Sequence, residues 1–215
     1  MSSSRRVWLL DLDNTLHDAN PHIFPFMSRA MSAYVAQATG LDAAAAQALR
    51  DHYWQRYGAT LTGLVRHHGV DPRDFLTKTH DFLDRLPQMV VHQRALRHML
   101  KKLPGRKILF SNAPRHYVDA VLAHIGIDQL IDSVWSIERL RFEPKPHLGA
   151  FRRLLHRERL DPRRCILVED SAVNLKAAKQ LGMKTVLVSP ATRAPAYVDI
   201  LIKSALDLPR LGLVT

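Results

Sequence analysis

One cysteine, Cys165, is the whole thiol content of this 215-residue chain, which excludes an intramolecular disulfide and a thiolate metal cluster. It lies in the apolar run Cys165-Ile166-Leu167-Val168, where a buried, inert thiol is expected rather than a nucleophile. No apolar stretch approaches the roughly 18 residues needed to cross a bilayer, so no membrane contact is expected. The opening Met-Ser-Ser-Ser-Arg-Arg leads into an apolar run that two Asp residues stop almost at once. That run is too short for a secretory signal, and a cytoplasmic location is the expectation. Internal repeats and low-complexity tracts are missing as well. Acidic residues are scarce: 20 stand against 31 Lys and Arg, a formal net charge of +11. Such a surplus raises the question of nucleic acid. The basic residues are nevertheless spread over helical segments such as Arg152-Arg153-Leu154-Leu155-His156-Arg157-Glu158-Arg159. Zinc-finger spacing, a basic zipper and an aromatic ribonucleoprotein motif are all lacking. An arginine-rich solvated surface that attracts anionic substrates is therefore expected, in preference to a nucleic-acid partner. The sequence carries no indication of oligomeric state.

What is present is an ordinary globular composition, 47% hydrophobic and 24% charged, enough for a core domain with or without an inserted subdomain. Val7-Trp8-Leu9-Leu10 reads as a buried strand that ends on Asp11 and Asp13. From about Phe24 to Leu103 only helical spacing appears. Helices are predicted over Phe26–Ala38, Asp42–Tyr57, Thr60–His68 and Asp74–Leu86, with breaks at Gly40, Gly58, Gly69 and Pro87. Asp42 and Asp71 suit helix N-caps, and Pro72 suits a first helical position. From Gly105 the grammar changes to strand, turn, helix. Strands are predicted at Lys107–Phe110, Ser133–Ser136, Arg164–Val168, Thr185–Val188 and Ile200–Ile202, with helices to about His124, over Leu148–Leu160 and over Ala172–Leu181. This alternation predicts an α/β fold: a Rossmann-like, doubly wound parallel sheet with an inserted α-helical cap. Residues 1–16 and 93–215 form the expected core and 17–92 the expected cap.

Ligands of such sheets bind beyond the carboxyl ends of the strands. The residues found there are Asp11 and Asp13, Ser111 and Asn112, and Glu169 and Asp170. Read alone, Asp11 to Asn14 also fits a simple Asp/Asn turn. Together, Asp11, Asp13 and Asp170 with Glu169 beside them suit a hard, oxygen-liking cation, and Mg2+ with a substrate phosphate is the expected form. Lys145 sits between Pro144 and Pro146. It is either a solvent lysine in a proline-rich loop or a rigidly presented ammonium for a phosphoryl oxygen or a carboxylate. Ser111, with the amides of Asn112 and Ala113 at a strand-to-helix turn, offers donors to phosphate.

Asp11-Leu12-Asp13-Asn14-Thr15, Phe110-Ser111-Asn112, Lys145-Pro146 and Val168-Glu169-Asp170-Ser171 occur in this order. They resemble the four motifs of the haloacid-dehalogenase-like hydrolase superfamily, and the insertion after the first motif resembles its helical-cap subclass. The resemblance implies Asp11 as a nucleophile that forms an aspartyl-phosphate, and Asp13 as general acid, then base. It implies Ser111 and Lys145 at the phosphoryl group. Mg2+ would be held by the Asp11 side chain, the Asp13 carbonyl and Asp170, with Glu169 bound through a water. An acid at the second position favours phosphoryl transfer over dehalogenation. Asn14-Thr15-Leu16 and the stretch from Tyr57 to Leu64 are similar to the pyrimidine 5′-nucleotidase-like branch. The small-molecule substrate implied is a phosphomonoester such as UMP or CMP; phosphoglycolate or a sugar phosphate is the alternative, for a phosphatase or a mutase. A non-catalytic basic nucleic-acid or protein-binding module is the reading of another class. Tyr57, Thr60 and Thr62, on a glycine-flanked turn, either touch the substrate or merely join two helices. His17 is either a substrate contact or a polar hinge residue. Phe24, Phe26, Tyr53 and Trp54 fall at helical spacing and are expected in the cap core.

Overall fold

The computed structural model describes residues 6–91 and 94–212. The residues before Arg6 and the expected 92/93 boundary lie outside the described residues. Six strands form the sheet: β1 (Val7–Leu10), β2 (Arg106–Phe110), β3 (Ser133–Trp135), β4 (Cys165–Glu169), β5 (Lys184–Val188) and β6 (Ile200–Ile202). All pair in parallel in the order β3-β2-β1-β4-β5-β6, and β1 sits between β2 and β4 with Leu10 opposite both Leu109 and Val168. A parallel sheet covered on both faces needs apolar residues at every position of its central strand. In β1 all four are buried: Trp8 and Leu10 enter one core, Val7 and Leu9 the other. Cys165 joins the second core, buried and with its thiol pushed up to about 12, chiefly by burial. Its burial is that of the structural thiol expected from the sequence.

Four helices, α1 (Ile23–Thr39), α2 (Ala43–Tyr57), α3 (Thr60–His68) and α4 (Pro72–Thr79), follow β1 and pack on one another. Asp42 and Asp71 cap α2 and α4 by accepting from Ala45 and Arg73 amides, with Pro72 at the start of α4. Gly63 of α3 is required by close approach. A Cβ there would stand 2.1 Å from Cγ of Tyr53.

One predicted helix breaks. Asp74–Leu86 is not continuous: α4 stops at Thr79, and a short 3-10 turn at Leu83–Arg85 precedes α5 (Leu86–Met89). His80 (φ −115°) closes α4 with its amide on Leu76 O at 3.2 Å, and Phe82 N then donates to His80 O at 3.0 Å, a turn in place of the i→i−4 bond to Lys78 O that a continuing helix would make. The remaining helices are α6 (Arg94–Lys102), α7 (Arg115–Ile125), α8 (Leu148–Glu158) and α9 (Ala172–Gln180). No described helix is long and apolar enough to cross a membrane.

Candidate active site

The crossovers turn to opposite sides of the sheet between β1 and β4, which opens a crevice at the carboxyl end of β1. Asp11 extends β1 there, its amide bonded to Val168 O at 3.0 Å. One ligand oxygen from each of Asp11, Glu169 and Asp170 lies within 4.8 Å of the others. The Asp13 carboxylate stands outside this trio, because Tyr117 and His17 hold it elsewhere.

Lys145 is buried, which decides between the two readings of its proline-flanked loop. Its three ammonium donors find three acceptors: Asp11 Oδ1 at 2.7 Å, Phe110 O at 2.8 Å and Glu169 Oε2 at 2.6 Å. The side chain of Asn112 clamps the Lys145 backbone, its Oδ1 accepting from Lys145 N at 2.8 Å and its Nδ2 donating to Lys145 O at 3.0 Å. Asn112 therefore spends its side chain on Lys145 rather than on a ligand. The Ala113 amide, expected to be free, donates to Ser111 Oγ at 3.0 Å. The Asn112 amide donates to no protein group among the described residues. Thr15 completes the frame by donating to Asp11 Oδ2 at 3.2 Å.

Burial dominates the electrostatics. It pushes Asp11 up to about 7, with the Glu169 charge adding and Lys145 opposing. Glu169 is likewise pushed up to about 7 by burial, against the pull of Lys145 and with help from Asp170. Asp170 is raised as well, again mainly by burial. Burial works against the Lys145 charge, but Asp11 and Glu169 outweigh it and hold the ammonium above its usual range. One ammonium faces three carboxylates, so the cluster carries excess negative charge that a divalent cation relieves. An all-oxygen carboxylate set fits Mg2+, and among the described residues it is the one acidic or His/Cys group that fits a metal.

A cavity of about 880 Å³ lies over this cluster, lined by Asp11, Asp13, Ser111, Lys145, Glu169 and Asp170 on one side and by α1–α4 on the other. Tyr57, Thr60 and Thr62 all line it. Thr60 and Thr62 belong to the first turn of α3, not to a hanging loop. Thr60 donates to Arg50 O at 3.2 Å, Thr62 Oγ1 is buried without a partner, and the Tyr57 hydroxyl pairs with His67 Nε2 at 2.7 Å. The aromatic expectation divides. Tyr53 is buried and Phe26 packs on Phe82, but Phe24 and Trp54, 36% and 64% exposed, face the cavity instead of the cap core. Periodicity marks a helix face without saying whether core or cavity lies opposite it.

Tyr117 escaped the reading of the sequence, and so did the partner of His17. Tyr117, fully buried on α7, donates to Asp13 Oδ1 at 2.5 Å, and burial followed by the Asp13 charge holds its phenol far above the usual range. His17, expected as a hinge residue or substrate contact, is buried with Nε2 2.9 Å from the same oxygen. The His17 contact has an i, i+4 spacing that is visible in the sequence. Tyr117 stands 104 positions from Asp13 and carries no local signal.

A family model described as haloacid dehalogenase-like hydrolase matches residues 8–188. Phosphate metabolism protein 8 of Saccharomyces cerevisiae is 26% identical over 140 residues, covering 61% of this chain and 43% of that protein. The chain thus spans less than half the length of this curated relative. A HAD phosphatase from Thermococcus onnurineus superposes with a TM-score of 0.70 at 18% identity, over 97% of this chain and 98% of that one. L-2-haloacid dehalogenase from Xanthobacter autotrophicus, with chloropropionic acid covalently bound, gives 0.62 at 16% identity over 97% and 98%. At such identities the structural likeness speaks for the fold alone.

Proposed function

The chain belongs to the haloacid dehalogenase-like hydrolase family, and on that premise we propose that it is a Mg2+-dependent phosphomonoester hydrolase. The observation that carries this reading is Asp13. An alkoxide leaving from phosphorus needs a proton, whereas a departing halide does not. Asp13 lines the cavity over Asp11 with Oδ2 unbonded to any described protein group, which suits a proton donor.

In this reading the Asp11 carboxylate attacks phosphorus and the bond from phosphorus to the ester oxygen breaks. The ester oxygen takes the proton of the Asp13 carboxyl. Water then attacks the aspartyl-phosphate, gives its proton back to Asp13, and releases phosphate and the Asp11 carboxylate. Ser111 and the free Asn112 amide bind phosphoryl oxygens, and Lys145 balances their charge beside Asp11. Asp11, Asp170 and the Asp13 carbonyl would hold Mg2+, with Glu169, already bonded to Lys145, further out. When bound, the cation neutralises the phosphoryl oxygens. Residues 17–92 act as the cap that sets specificity, and residues 1–16 and 93–215 as the core.

For the substrate we favour pyrimidine nucleoside 5′-monophosphates. The exposed Trp54 and Phe24 and the adjacent Tyr57 offer aromatic faces to a base within the cavity. The name of the Saccharomyces cerevisiae relative, tied to phosphate metabolism, agrees with the chemistry. Steady-state turnover of UMP and CMP against AMP, phosphoglycolate and hexose phosphates tests the assignment. A large preference for UMP and CMP is expected; a preference for a non-nucleotide ester overturns the nucleotidase while sparing the phosphatase.

A further inference from the structure

Asp13 is held by one oxygen only. Tyr117 donates to Oδ1 at 2.5 Å and His17 Nε2 lies 2.9 Å from that same atom, while Oδ2 has no hydrogen bond to a described protein group. The two partners come from different parts of the fold: His17 from the segment leaving β1, and Tyr117 from α7, the helix that follows β2. Neither side chain has room to drift. Tyr117 is fully buried and its ring meets His80 edge-on at 5.4 Å and Phe82 at 5.9 Å. His17 is 5% exposed, and its Nδ1 is buried without a partner, so the Asp13 contact is the one hydrogen bond of its side chain among the described residues.

Two donors converging on Oδ1 have a chemical consequence. The ionised Asp13 carboxylate only accepts, so beside it His17 carries its proton on Nε2 and Tyr117 donates its hydroxyl; with both donors aimed at Oδ1, the carboxylic acid form carries its proton on Oδ2. Oδ2 is also the oxygen left for the cavity. We infer that Tyr117 and His17 are positioning residues that fix the Asp13 rotamer and direct its exchangeable proton to Oδ2, toward the leaving oxygen of the substrate. This inference rests on the phosphatase reading above, in which Asp13 is the general acid and base. Neither residue touches substrate; each acts through Asp13.

The test compares two esters of similar size, 2-phenylethyl phosphate and p-nitrophenyl phosphate. The first expels an alkoxide that needs a proton, and the second a phenoxide that leaves without one. Because positioned acid catalysis is worth about 100- to 10,000-fold, Tyr117→Phe is expected to lower kcat on the alkyl ester by about 30-fold and on the aryl ester by about threefold or less. KM should stay within about twofold for both, since no substrate contact is removed. His17→Ala should shift the same ratio, and His17→Gln, whose amide can donate near the position of Nε2, should restore much of it. The ratio is indifferent to how much of a variant folds, because misfolding removes both activities together. Equal losses on the two esters overturn the positioning role and leave the phosphatase standing. A wild-type protein that cleaves neither ester with Mg2+ overturns the phosphatase reading, and this inference falls with it.

Discussion

Lys145 Nζ stands 2.7 Å from Asp11 Oδ1 across a separation of 134 positions, and both side chains are buried. Glu169 shares the same ammonium at 2.6 Å. Removing the lysine would leave two carboxylates buried without their counter-charge, and breaking such a pair costs about 3–5 kcal/mol. Lys145→Ala should therefore lower the urea midpoint sharply and cut turnover by at least about 100-fold. Lys145→Arg should not rescue activity, because a planar guanidinium cannot bring three donors to a point as the ammonium does. Retained stability in Lys145→Ala would contradict the buried-cluster account.

Metal removal should abolish turnover of p-nitrophenyl phosphate, and added Mg2+ should restore it. Asp170 contributes one of the three clustered oxygens. Asp170→Asn should accordingly raise the Mg2+ concentration needed for half-activation by about tenfold or more, with a much smaller effect on maximal rate. Unchanged activity in excess chelator would rule out the metal assignment.

His80 makes stability depend on pH with a definite sign. Burial lowers its pKa from 6.5 to about 4, so between these values the unfolded chain binds a proton that the folded protein refuses. Its contribution is present above pH 6.5 and is lost as pH falls through 4, to the extent of about 3 kcal/mol. His80→Gln should be less stable than wild type at pH 7, and the gap should narrow as urea midpoints are taken at pH 5.5 and 4.5. A constant gap would mean that the imidazole titrates normally in the fold.

Trp54 is 64% exposed on α2 and lines the cavity. Trp54→Ala should move the melting transition by the equivalent of about 0.5 kcal/mol or less. It should raise KM for UMP about fivefold while kcat stays within about twofold, the pattern of a lost uniform binding contact. A drop in kcat with KM unchanged would place Trp54 in the chemistry instead.

The core residues of the site were legible because each ends an apolar run: Asp11 after Leu10, Ser111 after Phe110, Asp170 after the Val168-Glu169 end of β4. Topology then gathers those ends at one edge. Lys145 was legible through its flanking prolines and the family resemblance, although neither indicated that Asn112 would clamp its backbone. Tyr117 was not legible at all, since a tyrosine at a core position of an amphipathic helix looks the same whether or not its hydroxyl finds a partner. The break after Thr79 was hidden for a related reason. Thr79 and His80 are acceptable helix residues, and nothing local signals that the chain turns at His80, where Phe82 N takes the His80 carbonyl. Phe24 and Trp54 show the limit of periodicity in the cap, where the helices face a cavity as well as a core.

The most direct test of the account is the turnover of p-nitrophenyl phosphate with Mg2+ by wild type and by Asp11→Asn, with circular dichroism confirming that the variant folds. The account predicts hydrolysis by wild type and a loss of activity of about 10,000-fold or more in Asp11→Asn, because an amide cannot serve as the nucleophile. Comparable turnover by the two proteins would contradict it.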